Sequence, residues 1–180
     1  MNKRLYIALI LISSFLLSGC AYTHPEYSIG MGKNAHIETD LIGLFEGKGI
    51  VKSTNGAITT TFTAKMEGYK EGSVIFLRET YVYENAGEKT FTYRITPDSD
   101  FYRFDCIRIE TLDSCDIKRA SGTISIETNR TYIKDANIIN VNSINLFHFL
   151  DDKRLLKQTY FNKLLFMEDM TELVHYTRIY

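Results

Sequence analysis

Residues 58–66, "ITTTFTAKM", decide the fold. Thr60, Phe62, Ala64 and Met66 fall on one face of an extended chain, and Thr59, Thr61, Thr63 and Lys65 on the other. A period of two is the mark of a β-strand with one face packed and one wet. Residues 89–95, "KTFTYRI", repeat it, with Phe91, Tyr93 and Ile95 set against Thr92 and Arg94. Residues 122–128, "GTISIET", do the same with Ile124 and Ile126.

Turn chemistry separates these runs at Asn55-Gly56, Glu71-Gly72, Asn85-Ala86-Gly87, Pro97-Asp98, Asn129-Arg130 and Asp151-Asp152. Asn-Gly between alternating segments is the strongest hairpin signal of the set. Turns mostly 12 to 16 residues apart imply long hairpin-linked strands. The tail "LLKQTYFNKLLFMEDMTELVHY" (155–176) admits a helical reading, but two strands around a turn near Met167–Met170 suit it better. The last run, "LVHYTRIY" (173–180), alternates and is aromatic and β-branched. About eight to ten long antiparallel strands in one all-β domain, residues 40–180, predict a meander barrel, because closure removes the exposed edges of a flat sheet. Ahead of the first strand, Asp40 is placed to cap a single helical turn carrying Leu41, Leu44 and Phe45.

Upstream the pattern changes. In "LISSFLLSGCAYTHPEY" (11–27) an apolar run ends in small residues and a cysteine. With Lys3 and Arg4 ahead of it, the run Leu5–Leu17 is 13 residues, roughly 20 Å as a helix. That is short of a bilayer core of about 30 Å, and the arrangement is that of a secretory signal. The tetrad Leu17-Ser18-Gly19-Cys20 resembles a bacterial lipobox, in which the cysteine is acylated and becomes the mature N-terminus. Residues 1–19 are then a signal peptide, Cys20 the lipid attachment point, and residues 20–39 a lipidated tether. Ala21 follows the cysteine instead of an aspartate, so by family analogy the expected address is the inner leaflet of the outer membrane, facing the periplasm.

The mature chain keeps 19 basic and 22 acidic side chains, a formal charge of −3 with no basic stripe, which argues against nucleic acid. Cys106 and Cys115, in "CIRIETLDSC", are the expected disulfide of an oxidising compartment. No Cys-x-x-Cys or histidine cluster supplies further ligands for a metal.

"LFEGKGIVKSTNGAITTTFTAKMEG" (44–68), "ETYVYENAGEKTFTYRI" (79–95) and "LFHFLDDKRLLKQTYFNK" (146–163) together resemble an uncharacterised family of small proteobacterial lipoproteins, domain of unknown function 3833. Phe45-Glu46-Gly47 matches its aromatic lead-in to the first strand, and Thr80-Tyr81-Val82-Tyr83 its hairpin. Asp151-Asp152 with Leu155-Leu156 matches its acidic turn before a "LLN" strand. The family's tryptophans are missing and Lys157 stands where it has asparagine. The resemblance implies a lipocalin-like barrel under a lipid anchor, and brings no activity or catalytic residues with it.

Catalytic constellations are hard to assemble. There is no Gly-x-Ser-x-Gly, and "GLFEGKG" (43–49) lacks the spacing and the Lys-Ser/Thr ending of a phosphate loop. His24 and His36 fall in the tether. His148 and His175 fall in predicted strands that could pair, and a metal or acid–base pair there competes with plain strand histidines. The acidic pairs Asp151-Asp152 and Glu168-Asp169 read as solvated turn carboxylates, and Asn129-Arg130-Thr131 is a glycosylation acceptor without meaning in a bacterial lipoprotein. Twelve tyrosines and eleven phenylalanines, concentrated in "YVYENAGEKTFTY" (81–93) and "DFYRFD" (100–105), are the remaining anomaly. Facing inward, they either line a ligand cavity or fill a tryptophan-free core. The candidate ligand-lining residues are Phe62, Phe91, Tyr93, Ile95, Ile124 and Ile126. The expectation is a non-catalytic, cofactor-free and metal-free barrel. It is held to a membrane by acyl chains and binds a small apolar or lipid ligand. The alternative is an interaction module supporting an envelope protein complex.

Overall fold

A computed structural model describes residues 35–53, 55–84, 86–98, 103–120, 122–134, 137–163 and 171–180. A helical turn, α1 (Ile37–Asp40), precedes ten strands. They are β1 (Gly43–Lys52), β2 (Ile58–Glu71), β3 (Val74–Tyr83), β4 (Gly87–Pro97), β5 (Phe104–Arg108), β6 (Ser114–Ala120), β7 (Thr123–Lys134), β8 (Asn137–Phe149), β9 (Arg154–Lys163) and β10 (Thr171–Arg178). Each strand pairs antiparallel with the next, and β10 returns to β1, closing the barrel. This is the expected meander barrel, and the strand count is the upper end of the expected range.

The wall follows from the alternation. Along β2, Phe62, Ala64 and Met66 are buried while Thr61, Thr63, Lys65 and Glu67 are exposed. The hairpin turns use glycine where φ must be positive, as at Gly56 (φ 82°) and Gly72 (φ 63°). The tail forms the two strands β9 and β10, whereas the expected turn near Met167–Met170 lies outside the described residues. At Asn129-Arg130 no turn occurs. β7 runs through it, with Asn129 opposite Asn142 and Arg130 opposite Val141, because an unbroken ladder to β8 outweighs the weak strand preference of asparagine.

The helical turn also differs from expectation. Asp40 ends α1 and its Oδ2 accepts the backbone N–H of His36 at 2.7 Å. Leu44 and Phe45 already belong to β1, where they continue the alternation. The apolar pair that plugs this end of the barrel is Ile37 and Leu41, four residues apart and both fully buried. Arg178 at the end of β10 donates from Nη2 to Asp40 O at 2.5 Å, and Arg119 at the end of β6 approaches Glu38. Gly68 is where the plug crosses β2: a Cβ there would collide with Leu41 O. The packed domain therefore takes in Ala35–Thr39, which the sequence pattern assigned to the tether.

Candidate functional site

The barrel interior is layered from the plugged end to the opposite one. Next to the plug lie Phe45, Ile75, Leu77, Ile95, Ile124, Phe147 and Leu155, all buried and apolar. The alternation of β3 then carries three inward positions that differ in kind: Glu79, Tyr81 and Tyr83. Glu79 is fully buried, as is Lys157 of β9 to within 2 %. Lys157 Nζ donates to Glu79 Oε1 at 2.7 Å and Oε2 at 2.6 Å, and to Tyr81 OH at 2.6 Å. Tyr81 OH donates on to Glu79 Oε1 at 2.9 Å, and Tyr176 OH of β10 adds a longer bond to the same oxygen at 3.3 Å. A carboxylate, an ammonium and two phenols thus satisfy one another in the middle of the barrel. Burial first, and then the Glu79 carboxylate, push both phenols well above the ordinary tyrosine value.

A second polar group lies beside the first. Asn145 donates to Ile126 O at 3.2 Å and accepts from Thr159 Oγ1 at 2.9 Å, and Thr128 meets Ser143 at 2.6 Å.

Toward the end opposite the plug the composition changes again. Glu172, the inward residue at the start of β10, accepts from Tyr83 OH at 2.9 Å through Oε1. Burial raises its carboxyl above the usual range, against the pull of Lys157. Around it stands an aromatic cluster. Phe62 lies 5.4 Å from Tyr81 and 5.0 Å from Tyr83, and Tyr81 lies 6.1 Å from Tyr83 and 5.7 Å from Phe91, measured between ring centroids. These separations fall in the favourable range for aromatic pairs. Cations of the chain itself sit on these rings: Lys89 Nζ is 5.2 Å from the Tyr83 centroid and Arg108 Cζ 4.0 Å from that of Phe91.

The six candidate lining residues all point inward but fall in different layers. Ile95, Ile124 and Ile126 belong to the apolar core. Tyr93 lies within reach of Asn145, and Phe62 and half-buried Phe91 stand in the aromatic cluster. Sequence reasoning missed Glu79, Lys157 and Glu172. Their signal was present in the alternation itself, because counting in steps of two from Ile75, Leu155 or Val174 lands on each of them.

Cys106 and Cys115 face each other across β5 and β6 and are disulfide-bonded. Cys20 lies outside the described residues. His148 and His175 do not sit on paired strands: β9 runs between them, and Leu156 is the register partner of both. Two strand spacings hold them about 10 Å apart, too far to share a metal ion or a proton. His148 Nδ1 instead meets Thr123 Oγ1 at 3.1 Å, and burial lowers its pKa. Asp151 serves its turn, accepting from the backbone N–H groups of Lys153 and Arg154 and from the Arg154 side chain. On the outer wall, Lys48, Ile50, Val82, Leu156, Leu173 and His175 line a shallow trough of about 750 Å³.

The profile of the family described as "Protein of unknown function (DUF3833)" matches residues 14–171, and the chain belongs to that family. Comparison with curated proteins gives no match. Among solved structures the chain is similar to a protein with unknown function from the DUF3598 family of Nostoc punctiforme, with TM-score 0.57 and 11 % identity. That alignment covers 82 % of this chain and 50 % of the other, so this chain spans about half its length. It is also similar to the S-type phycobiliprotein lyase CPES of Guillardia theta, with TM-score 0.51 and 6 % identity over 80 % of this chain and 90 % of that one. At such identities the likeness is one of fold.

Proposed function

We propose that this member of the DUF3833 family is a non-catalytic, lipid-anchored periplasmic protein at the inner leaflet of the outer membrane, whose barrel holds a small apolar or lipid ligand. The observation that carries the ligand reading is the asymmetry of the interior. One end is plugged by Ile37 and Leu41, while the other presents a ring cluster around the partly exposed Glu172. A barrel built only for stability gains little from a buried ion pair, since well-packed apolar residues of similar volume usually serve as well or better. Polar groups beneath aromatic walls suit a ligand with an apolar body and a polar end.

The anchor reading is supported by Leu17-Ser18-Gly19-Cys20 and by the character of the outer wall. Exposed Lys65, Glu67, Arg78 and Arg94 occupy outward positions where a membrane-spanning barrel carries an apolar belt. Radiolabelled palmitate should enter the protein and be lost on Cys20→Ser. Absence of label in the parent chain overturns the anchor. Native mass spectrometry of a form starting at Ala21 should find a bound lipid-sized species, and a ligand-free spectrum together with a filled interior overturns the ligand reading.

A second reading, a module that supports an envelope protein complex, draws on the outer trough. Crosslinking from Val82 in cells should then trap one dominant envelope protein, and a diffuse pattern removes this reading.

A further inference from the structure

We propose that the end of the barrel opposite the plug recognises an organic cation, the amine or quaternary ammonium end of an amphiphile, seated against Glu172 beside the rings of Phe62, Tyr81, Tyr83 and Phe91. The inference rests on the ligand reading above and names the chemistry of the polar end.

Three observations carry it. The first is charge. Of the ionisable groups in the middle and upper barrel, Lys157 is committed to Glu79 through both carboxylate oxygens. Glu172 is left with a single phenol donor on Oε1, and among the described residues its Oε2 has no partner. Glu79 is paired with Lys157 and Arg108 stands 3.6 Å from Glu110, so at this end Glu172 is the carboxylate with no salt bridge among the described residues.

The second is the rings. Aromatic faces beside a carboxylate are the arrangement that binds alkylammonium groups, because the ring quadrupole attracts the cation without demanding directional hydrogen bonds. The third is that the chain fills the site with its own cation. Lys89, exposed at the start of β4, holds its ammonium 5.2 Å from the Tyr83 centroid and is electrostatically coupled to Glu172. An exposed lysine is flexible and easily displaced, so Lys89 stands where a ligand's cationic end would sit and competes with it. Arg108 over Phe91 is buried and stays in place, flanking the site instead of occupying it.

The test uses the full chain in nonionic micelles, doped in turn with dodecyltrimethylammonium, dodecanol and dodecyl sulfate, and read by native mass spectrometry. The three probes share a chain length and differ in charge. The cationic probe should be retained about tenfold or more over the neutral one, the scale of one charged contact in a partly desolvated site. Glu172→Gln should remove that preference. Lys89→Met, at an exposed position, should raise retention of the cation about two- to fivefold, the worth of one displaced cation–π contact. A variant that merely damaged the fold would not tighten binding. Equal retention of cation and neutral probe, or preference for the sulfate, overturns the amine assignment while leaving a ligand-binding barrel. Retention of none of the three overturns the ligand reading itself, and this inference with it.

Discussion

Removing Lys157 and removing Glu79 should not cost the same, although the two form one ion pair. In Lys157→Met the stranded Glu79 carboxylate keeps the hydroxyls of Tyr81 and Tyr176 as donors to Oε1. In Glu79→Leu the stranded ammonium loses both carboxylate contacts, while its bond to the Tyr81 oxygen remains. Breaking a buried pair costs about 3–5 kcal/mol, so Lys157→Met belongs near 3 and Glu79→Leu near 5. For a urea slope of about 2 kcal/mol/M these figures lower the unfolding midpoint by roughly 1.5 M and 2.5 M. The double variant Glu79→Leu/Lys157→Met leaves no buried charge from the pair and should lose less than either single change, for a coupling of several kcal/mol. Urea titrations of the four proteins followed by circular dichroism measure all of this. Additive losses refute the reasoning that the pair acts as one desolvated unit.

The phenols give an alkaline counterpart. Tyr81 and Tyr176 hold their protons in the folded state above the ordinary value of 10.0, so the native chain binds more protons and stability falls as pH rises through that value. With no tryptophan in the chain, absorbance at 295 nm should show these two tyrosines ionising only with unfolding. Their ionisation while near-ultraviolet dichroism stays native rejects the assignment. Reducing Cys106–Cys115, which closes a loop at a sequence separation of 9, should cost roughly 2.5 to 3 kcal/mol in the chain-entropy model, seen as a lower midpoint with dithiothreitol. An unchanged midpoint, with the thiols shown free, refutes it. Gly49→Ala should destabilise by about 1–3 kcal/mol, because the new Cβ meets the Phe62 ring and stands 2.8 Å from Leu173 O. Pairing it with Phe62→Leu should return part of the loss, and no recovery contradicts the close approach.

The barrel was legible because period two is a local signal that each strand carries by itself. "ITTTFTAKM" names its buried face without reference to any other segment, and all six residues read as inward do point inward. Where the reading strayed, the deciding partner was distant in sequence. Asn129-Arg130 looks like a turn until the ladder to Asn142 and Val141 is known. Ile37 looks like tether until Leu41 and the rim of the barrel bury it. His148 and His175 looked pairable because nothing local says that β9 runs between them.

The buried charges are the instructive failure. Read alone, Glu79 in "LRETYVY" and Lys157 in "LLKQTY" are polar residues breaking an apolar face, and each argues for exposure. They are 78 residues apart, and only barrel closure brings ammonium and carboxylate within 2.6 Å. The alternation was therefore right about their direction where residue type was wrong about their environment. Glu172 follows the same rule with a different outcome, because among the described residues no lysine bonds to it. Lys157 divides its bonds between Glu79 and Tyr81, and Lys89 reaches the Tyr83 ring from an exposed position. A carboxylate held partly desolvated with one phenol donor is less well satisfied than its neighbour deeper in the same barrel. That difference between two inward glutamates of one barrel separates a group that completes the core from a group that has capacity left for a ligand.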